Sequence, residues 1–515
     1  MSDVGFWKIA QSDPDRLGLV DAEGVESTFG ELLSRVNQVA HGLRARGLTR
    51  GDNVAVVLPN VSEFLETYMA AMQIGLYITP VNFHLTGPEI AYILGDAEAK
   101  AFILGERYAD AGTAAIKEIG FPESHVFTVG EIEGLQTYEA LVAGQPTTLP
   151  DDRLSGQTML YTSGTTGRPK GVRRPLSDID PDTGASLASL LAGLFDIKSG
   201  EGAHLAAGPL YHAAPLGFGT GAMHLGQALV LMDKWSPELT LKLIDRYHIT
   251  TSHMVPTMFH RLLALPDEVK KQYDTSSLSN VIHAAAPCPV DVKRRMIEWW
   301  GPVIYEYYAA TEGGGTYVKS PEWLEHPGTV GRAWPGSEIK ILDDDGNELG
   351  ANQSGTVYMR TPMGQFEYYK DPGKTAESRR GDMFTVGDIG YLTEDGWLFL
   401  NDRKADMIIS GGVNIYPAEI EAALLTHPKV GDAAVLGVPN EEWGEEVKAV
   451  IEPADGVTPS PALAEELITH CRGLLANYKV PRSVDFRDEL PRYPTGKLYK
   501  RLLRDDYWKG IERKI

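Results

Sequence analysis

At 515 residues, 43% hydrophobic and 23% charged, the chain has an ordinary globular composition with enough length for about two to four domains and a large core. Its formal charge of -22 excludes the basic footprint of a nucleic-acid binder and sets it against anionic membrane surfaces, so an anionic ligand must find a local island of positive charge. Two cysteines, Cys288 and Cys471, exclude a disulfide framework and a thiolate zinc site and fit a reducing, cytoplasmic setting.

The opening Met1-Ser-Asp-Val carries no basic leader, and no apolar run approaches the ~18 residues of a membrane span, so no transmembrane segment is expected. Thr28 and Glu31 have capping-box spacing, and Leu32, Leu33, Val36, Val39, Ala40 and Leu43 recur at helical period until Gly47. A buried strand at 54–58, a helix at 62–73, a strand at 77–81, a helical stretch at 90–94 and a strand at 101–104 follow. This alternation predicts an α/β fold: a large N-terminal domain of layered, mostly parallel sheets with helices.

The most informative segment is Tyr161 to Gly171, YTSGTTGRPKG. Glycines let backbone N–H groups turn inward, Ser163, Thr165 and Thr166 add donors, and Lys170 supplies a fixed cation, a composition suited to a polyphosphate. A Walker A loop needs Ser or Thr after its lysine and then a helix; here Gly171, Val172 and a nearby Pro175 follow, which do not start one. The loop is therefore expected to join two extended segments, with residues 158–161 as the entering strand. A flexible Ser/Thr/Gly linker is the plain alternative, disfavoured by the Arg-Pro-Lys exit.

Near residue 395 the texture changes. Asp395-Gly396 is a tight-turn dipeptide, and apolar runs at 408–409 and 413–415 flank Ser410-Gly411-Gly412. A helix at 417–425, strands at 433–436 and 447–451 and a helix at 461–475 complete a small α+β domain. The charged crossing Asp402 to Asp406 divides the chain into 1–402 and 403–515.

With the phosphate loop, six further motifs stand in order: Tyr211-His212; His283-Ala-Ala-Ala-Pro287; Tyr307-Tyr-Ala-Ala-Thr-Glu312; Val386-Gly-Asp388; Asp402-Arg-Lys-Ala-Asp406 with Ser410-Gly-Gly412; and Pro494-Thr-Gly-Lys497. Through them the chain resembles the adenylate-forming superfamily of acyl- and aryl-CoA synthetases, beetle luciferases and adenylation domains, in its fatty-acyl-CoA synthetase-like branch. The resemblance implies ATP, Mg2+ and CoA as cofactors and a small-molecule carboxylic acid as substrate. It also implies a small C-terminal domain that rotates between half-reactions; a homodimer stays open.

Carried over residue by residue, it assigns the nucleotide phosphates to Thr162, Ser163, Gly164, Thr165, Thr166, Gly167 and Lys170, and the adenine pocket to Ala285, Ala286, Pro287, Tyr307, Tyr308 and Thr311. The ribose falls to Asp388, an acceptor-only side chain suited to paired hydroxyls, and to Arg403; Ser410, Gly411 and Gly412 admit the pantetheine arm. Glu312 and Thr165 would face magnesium, since a bare carboxylate among phosphates repels them. His212 would stand beside the acyl carboxylate, and Lys497 would bridge carboxylate and α-phosphate. Two unit charges ~4 Å apart at an effective dielectric of 20 interact by ~4 kcal/mol, about three decades in rate if realised only in the transition state.

Gly217, Gly219 and Gly221, with Gly313 to Gly315, leave little bulk where the resemblance puts the acyl group, favouring a medium or long chain or a bulky ring over acetate. Ala309, Ala284 and Ala285 stand where glycine is usual, and Ala405 replaces the polar hinge residue. The reading is an AMP-forming carboxylate–CoA ligase. Its rivals are a ligase with an amine or carrier-protein acceptor, a catalytically silent nucleotide-binding protein of the same fold, and a P-loop phosphotransferase.

Overall fold

The computed structural model describes residues 4–509 except 163–168, 201, 362–365, 404–405, 411–412, 441 and 493–497. The capping box closes as its spacing requires: Glu31 N–H donates to Thr28 Oγ1 at 3.2 Å and Thr28 N–H to Glu31 Oε2 at 2.8 Å, opening the helix Phe29–Ala45. The apolar face of that helix covers a parallel sheet in the order Gln136–Thr137, Val126–Val129, Ala99–Gly105, Asn53–Val57, Tyr77–Pro80, Gln157–Thr158. Ser62–Gln73 and Gly87–Asp96 are the intervening helices, as the alternation predicts.

A second, larger sheet runs Arg332–Ala333, Gly313–Val318, Ile304–Ala310, Asn280–His283, Thr251–Met254, Ala203–Ala206, Ala228–Leu231, Leu17–Val20, Glu26–Thr28. From Ile304–Ala310 to Leu17–Val20 every pairing is parallel. Its central strands are buried along their whole length because helices cover both faces. Ligands in such sheets bind beyond the carboxyl ends of the strands, and the motif-bearing segments leave from there.

The loop reading is met at its two described ends. Leu160–Thr162 and Lys170–Arg173 pair antiparallel, Lys170 opposite Thr162, so the segment is entered and left by strands. Lys170–Arg173 pairs on its other side with Glu367–Tyr368.

The C-terminal part has its own core of Ile408, Ile420, Leu424, Val435, Ile451 and Leu467. Its helices Pro417–Leu424 and Pro461–Leu474 lie where expected, but the strands are longer than the apolar runs: Val430–Asn440 and Gly444–Pro453 form one long hairpin. The ladder carries Asp432 and Pro439 along, residues of poor strand propensity that pairing overrides, and Gly431 stands at a register shift between Val430 and Asp432.

Candidate active site

Three predicted segments follow the carboxyl ends of parallel strands of the large sheet. Ala203–Ala206 leads to His212, which caps the helix Ala213–His224; Asn280–His283 leads to residues 284–287; Ile304–Ala310 carries Tyr307 and Tyr308 and turns at Thr311-Glu312. Because Ala310 pairs with Gly313, Thr311 and Glu312 are the whole loop of a two-residue hairpin. The Glu312 side chain is nevertheless buried, 5% exposed. Arg174 Nη2 donates to the carbonyls of Thr311 at 3.1 Å and Glu312 at 2.9 Å, holding the tip. Tyr368 OH donates to Glu312 Oε1 at 2.7 Å.

Tyr308 OH donates to Asp388 Oδ2 at 2.7 Å, which brings the predicted adenine ring face and the predicted ribose acceptor together across two sheets. Asp388 pairs through its backbone with Arg403. Lys170 Nζ donates to Asp371 Oδ2 at 2.8 Å, so a carboxylate meets the ammonium expected to meet phosphate. Asp371, Tyr368 and Arg174 belong to no motif; they lie 201, 56 and 138 residues from the groups they hold. No local pattern announces them.

Ala285 and Pro287 are exposed and Ala286 half-buried, so this stretch is open to solvent. Ala285 adopts φ +76°, a left-handed backbone that costs an alanine about 1–2 kcal/mol and explains why glycine is usual there. His212 Nε2 is buried without a hydrogen-bond partner, and burial, with His253 and His84 nearby, lowers its pKa to about 3. Near neutrality it is an uncharged imidazole.

Two readings need correction. Tyr307 stands on the face of its strand opposite Tyr308, as period-two alternation requires. It packs against Phe195 and Phe218, its hydroxyl 3.4 Å from His253 Nε2, not in the cluster that holds Tyr308. Gly313, Gly314 and Gly315 do not clear an acyl channel: all have positive φ, a Cβ at Gly314 would meet Met359 and Phe384, and one at Gly315 would overlap the Tyr308 carbonyl. They are glycines because a tightly packed hairpin demands it. Of the other set, Gly217 and Gly221 share a helix face where a Cβ meets nothing within 4 Å, while Gly219 faces Leu229.

Thr162 ends its strand opposite Lys170, and Ser410 pairs with Val413 at the mouth of its turn. Ser163, Gly164, Thr165, Thr166, Gly167, Gly411, Gly412 and Lys497, with Ala405, lie outside the described residues. A cavity of about 340 Å³ lined by Asp52, Glu98, Lys100, Arg173 and Tyr369 contains none of the predicted residues.

Near this stretch, Lys293 Nζ donates to Glu306 Oε2 at 2.6 Å, both side chains buried, with the Trp323 ring 4.7 Å from the ammonium. Burial pushes Glu306 up and Lys293 down, and their attraction opposes both shifts. The pair ties the helix Val290–Trp300, which follows residues 284–287, to the strand bearing Tyr308. Lys293→Met strands a buried carboxylate and is expected to cost about 3–5 kcal/mol, about 4–6 °C in the main transition of a thermal melt for a unit of this size. Recovery of much of that in Lys293→Met/Glu306→Leu checks the cause.

The chain matches the family model for AMP-binding enzyme over residues 6–369 and that for the AMP-binding enzyme C-terminal domain over 419–497, and it belongs to this family. It is an AMP-forming acid–thiol ligase. It is 33% identical to fatty acid–[acyl-carrier-protein] ligase ScoC of Streptomyces coeruleorubidus, over 98% of this chain and 96% of that one. It is 34% identical to a feruloyl-CoA synthase of an Amycolatopsis species, over 96% and 97%. It superposes on ATP-bound MatB from Rhodopseudomonas palustris with a TM-score of 0.82 at 30% identity, over 99% and 100%. Among the described residues no helix is long and apolar enough to cross a membrane.

Proposed function

We propose that the chain activates a medium- or long-chain or ring-bearing carboxylic acid with ATP to an acyl-adenylate and pyrophosphate, and then transfers the acyl group to CoA with release of AMP. The observation that carries this is the Tyr308–Asp388 hydrogen bond beside the Glu312 turn, with Lys170 across from it on the loop's exit strand. Adenine packs on Tyr308 against residues 284–287, the ribose hydroxyls donate to Asp388, and Lys170 exchanges Asp371 for phosphate. Arg403, Thr162 and the loop residues 163–167 complete the nucleotide contacts, and residues 410–412 pass the pantetheine arm.

Magnesium suits the donors present. Among the described residues no group of three or more His, Cys, Asp or Glu is placed to hold a metal, and Mg2+ commonly takes one or two carboxylates plus phosphate oxygens and waters. Glu312, with Thr165, would hold it; when bound it neutralises phosphate charge. Neutral His212 orients the acid by hydrogen bonding without adding charge of its own.

The open face of Gly217 and Gly221, next to the aromatic group of Phe195, Phe218 and Tyr307, supports an acid larger than acetate. Both a fatty-acid ligase and a ferulate ligase among the relatives suit that size. The two unpaired cysteines suit a cytoplasmic site of action. We place the domain boundary between 402 and 403; an ion pair of Arg504 with Asp406 supports assigning Asp406 to the C-terminal part.

Acid-dependent exchange of pyrophosphate into ATP, run over a panel from acetate to long-chain and aryl acids, tests the reading. Exchange with AMP release is expected for the larger acids, with thioester from free CoA. Preference for acetate overturns the size argument, ADP release overturns adenylation, and product only with holo-carrier protein or an amine moves the acceptor.

A further inference from the structure

Glu312 occupies the tip of a two-residue turn, where a glutamate side chain would ordinarily be free to rotate among rotamers. Here one carboxylate oxygen is taken by a phenol. Tyr368, 8% exposed, packs edge-on to Phe366 and lies in the core that holds Val172 and Met359. Its backbone is as firmly placed: Tyr368 pairs with Val172 on the strand leaving the phosphate loop, its N–H donates to Thr375 Oγ1 at 3.0 Å, and the next N–H donates to Gly171 O at 2.8 Å. The ammonium of Lys170 lies 5.7 Å from the centroid of the same ring, within cation–π range.

We propose that Tyr368 is a positioning residue of the adenylation site, fixing the Glu312 carboxylate through Oε1 so that its remaining acceptor capacity meets a divalent cation, while tying that carboxylate to the strand that carries Lys170. The inference rests on the reading of Glu312 as the metal-facing group. A phenol hydroxyl donates across the neutral pH range. Arg174 fixes the turn's backbone and Tyr368 its side chain; neither comes from the sheet that bears the turn. A hydrogen bond to a charged group, once lost, is felt as about tenfold in an equilibrium.

The test compares wild type, Tyr368→Phe and Glu312→Gln as full-length proteins. Calorimetry measures ATP binding with Mg2+ and with EDTA, and differential scanning measures the unliganded protein. Tyr368→Phe is expected to weaken Mg2+-ATP binding about tenfold, to leave ATP binding in EDTA unchanged, and to raise the half-saturating Mg2+ in exchange assays by a similar factor. Tyr368→Phe/Glu312→Gln should bind Mg2+-ATP no more weakly than Glu312→Gln alone. Equal weakening in Mg2+ and in EDTA marks a merely structural role and overturns the proposal, as does wild-type metal dependence in Tyr368→Phe. If wild type shows no acid-dependent exchange, the ligase reading falls, yet the calorimetric comparison still decides the role of Tyr368.

Discussion

Lys497→Ala is expected to lower acyl-adenylate formation by about three decades while leaving thioester formation from supplied acyl-AMP within a few-fold of wild type. The acid and the α-phosphate are both anionic, and a cation that meets both where they react lowers the barrier only if it arrives with the geometry already set. The flanks of the motif supply such anchoring. Arg492 and Leu498 form an antiparallel bridge, Arg492 grips Asp432 at 2.5 and 2.6 Å, and Lys500 Nζ is 2.8 Å from Glu421. These contacts fix the residues on either side of the motif to the C-terminal core, which is what the proposed rotation between half-reactions requires. Arg501→Ala, which removes an exposed neighbouring cation, serves as control and should change neither step. Rapid-quench assay of each half-reaction checks the result; equal loss in both would end the division of labour between the two domain positions.

That strands enter and leave the glycine-rich segment was legible because the signal is local. Gly171 and Pro175 forbid the helix that a Walker lysine needs, and the chain duly returns as the strand Lys170–Arg173. The layered fold was legible for the same reason: each early helix or strand has its own period, and the capping box at Thr28 marks a boundary to the residue. What local pattern could not supply were partners far away in the chain. Nothing near Tyr368 says that its hydroxyl meets Glu312, and nothing near Arg174 says that it holds the same turn. The glycines at 313–315 misled because small size has two causes, room for a ligand and room for backbone, and only the fold separates them. Tyr307 is different: alternation on a strand already placed it opposite Tyr308, and the motif's reputation overrode the simpler rule.

Acid is expected to unfold the protein well before its carboxylates titrate. Burial holds His204, His212 and His253 to a pKa of about 3 and His224 to about 4, so all four stay neutral in the fold while an unfolded chain protonates them near 6.5. Folded values below unfolded ones place the stability above pH 6.5 and remove it as pH falls toward 3–4, at about 1.4 kcal/mol per unit for each ring. The contacts explain why the rings resist protonation. Phe6 N–H donates into His224 Nδ1 at 3.1 Å, so a proton there would lose that bond. Thr251 hydroxyl donates to Gln227, leaving its oxygen to accept from His204 Nδ1 at 2.8 Å, and His204 Nε2 faces no partner for a charge. Glu66 and Glu306, raised by burial, act in the opposite sense as pH falls, but two groups do not balance four. By pH 5 the four rings together withdraw about 8 kcal/mol, against the roughly 5–15 kcal/mol that ordinarily holds a folded protein. Urea midpoints measured from pH 7.5 to 5 should therefore fall steeply below 6.5, with uptake of at least four protons on unfolding, because buried His283 is held well below its ordinary value too. His224→Gln, which keeps an acceptor for Phe6 N–H, should reduce that uptake by one. A nearly flat profile across the same range would mean that these rings are charged in the folded protein and that water reaches them.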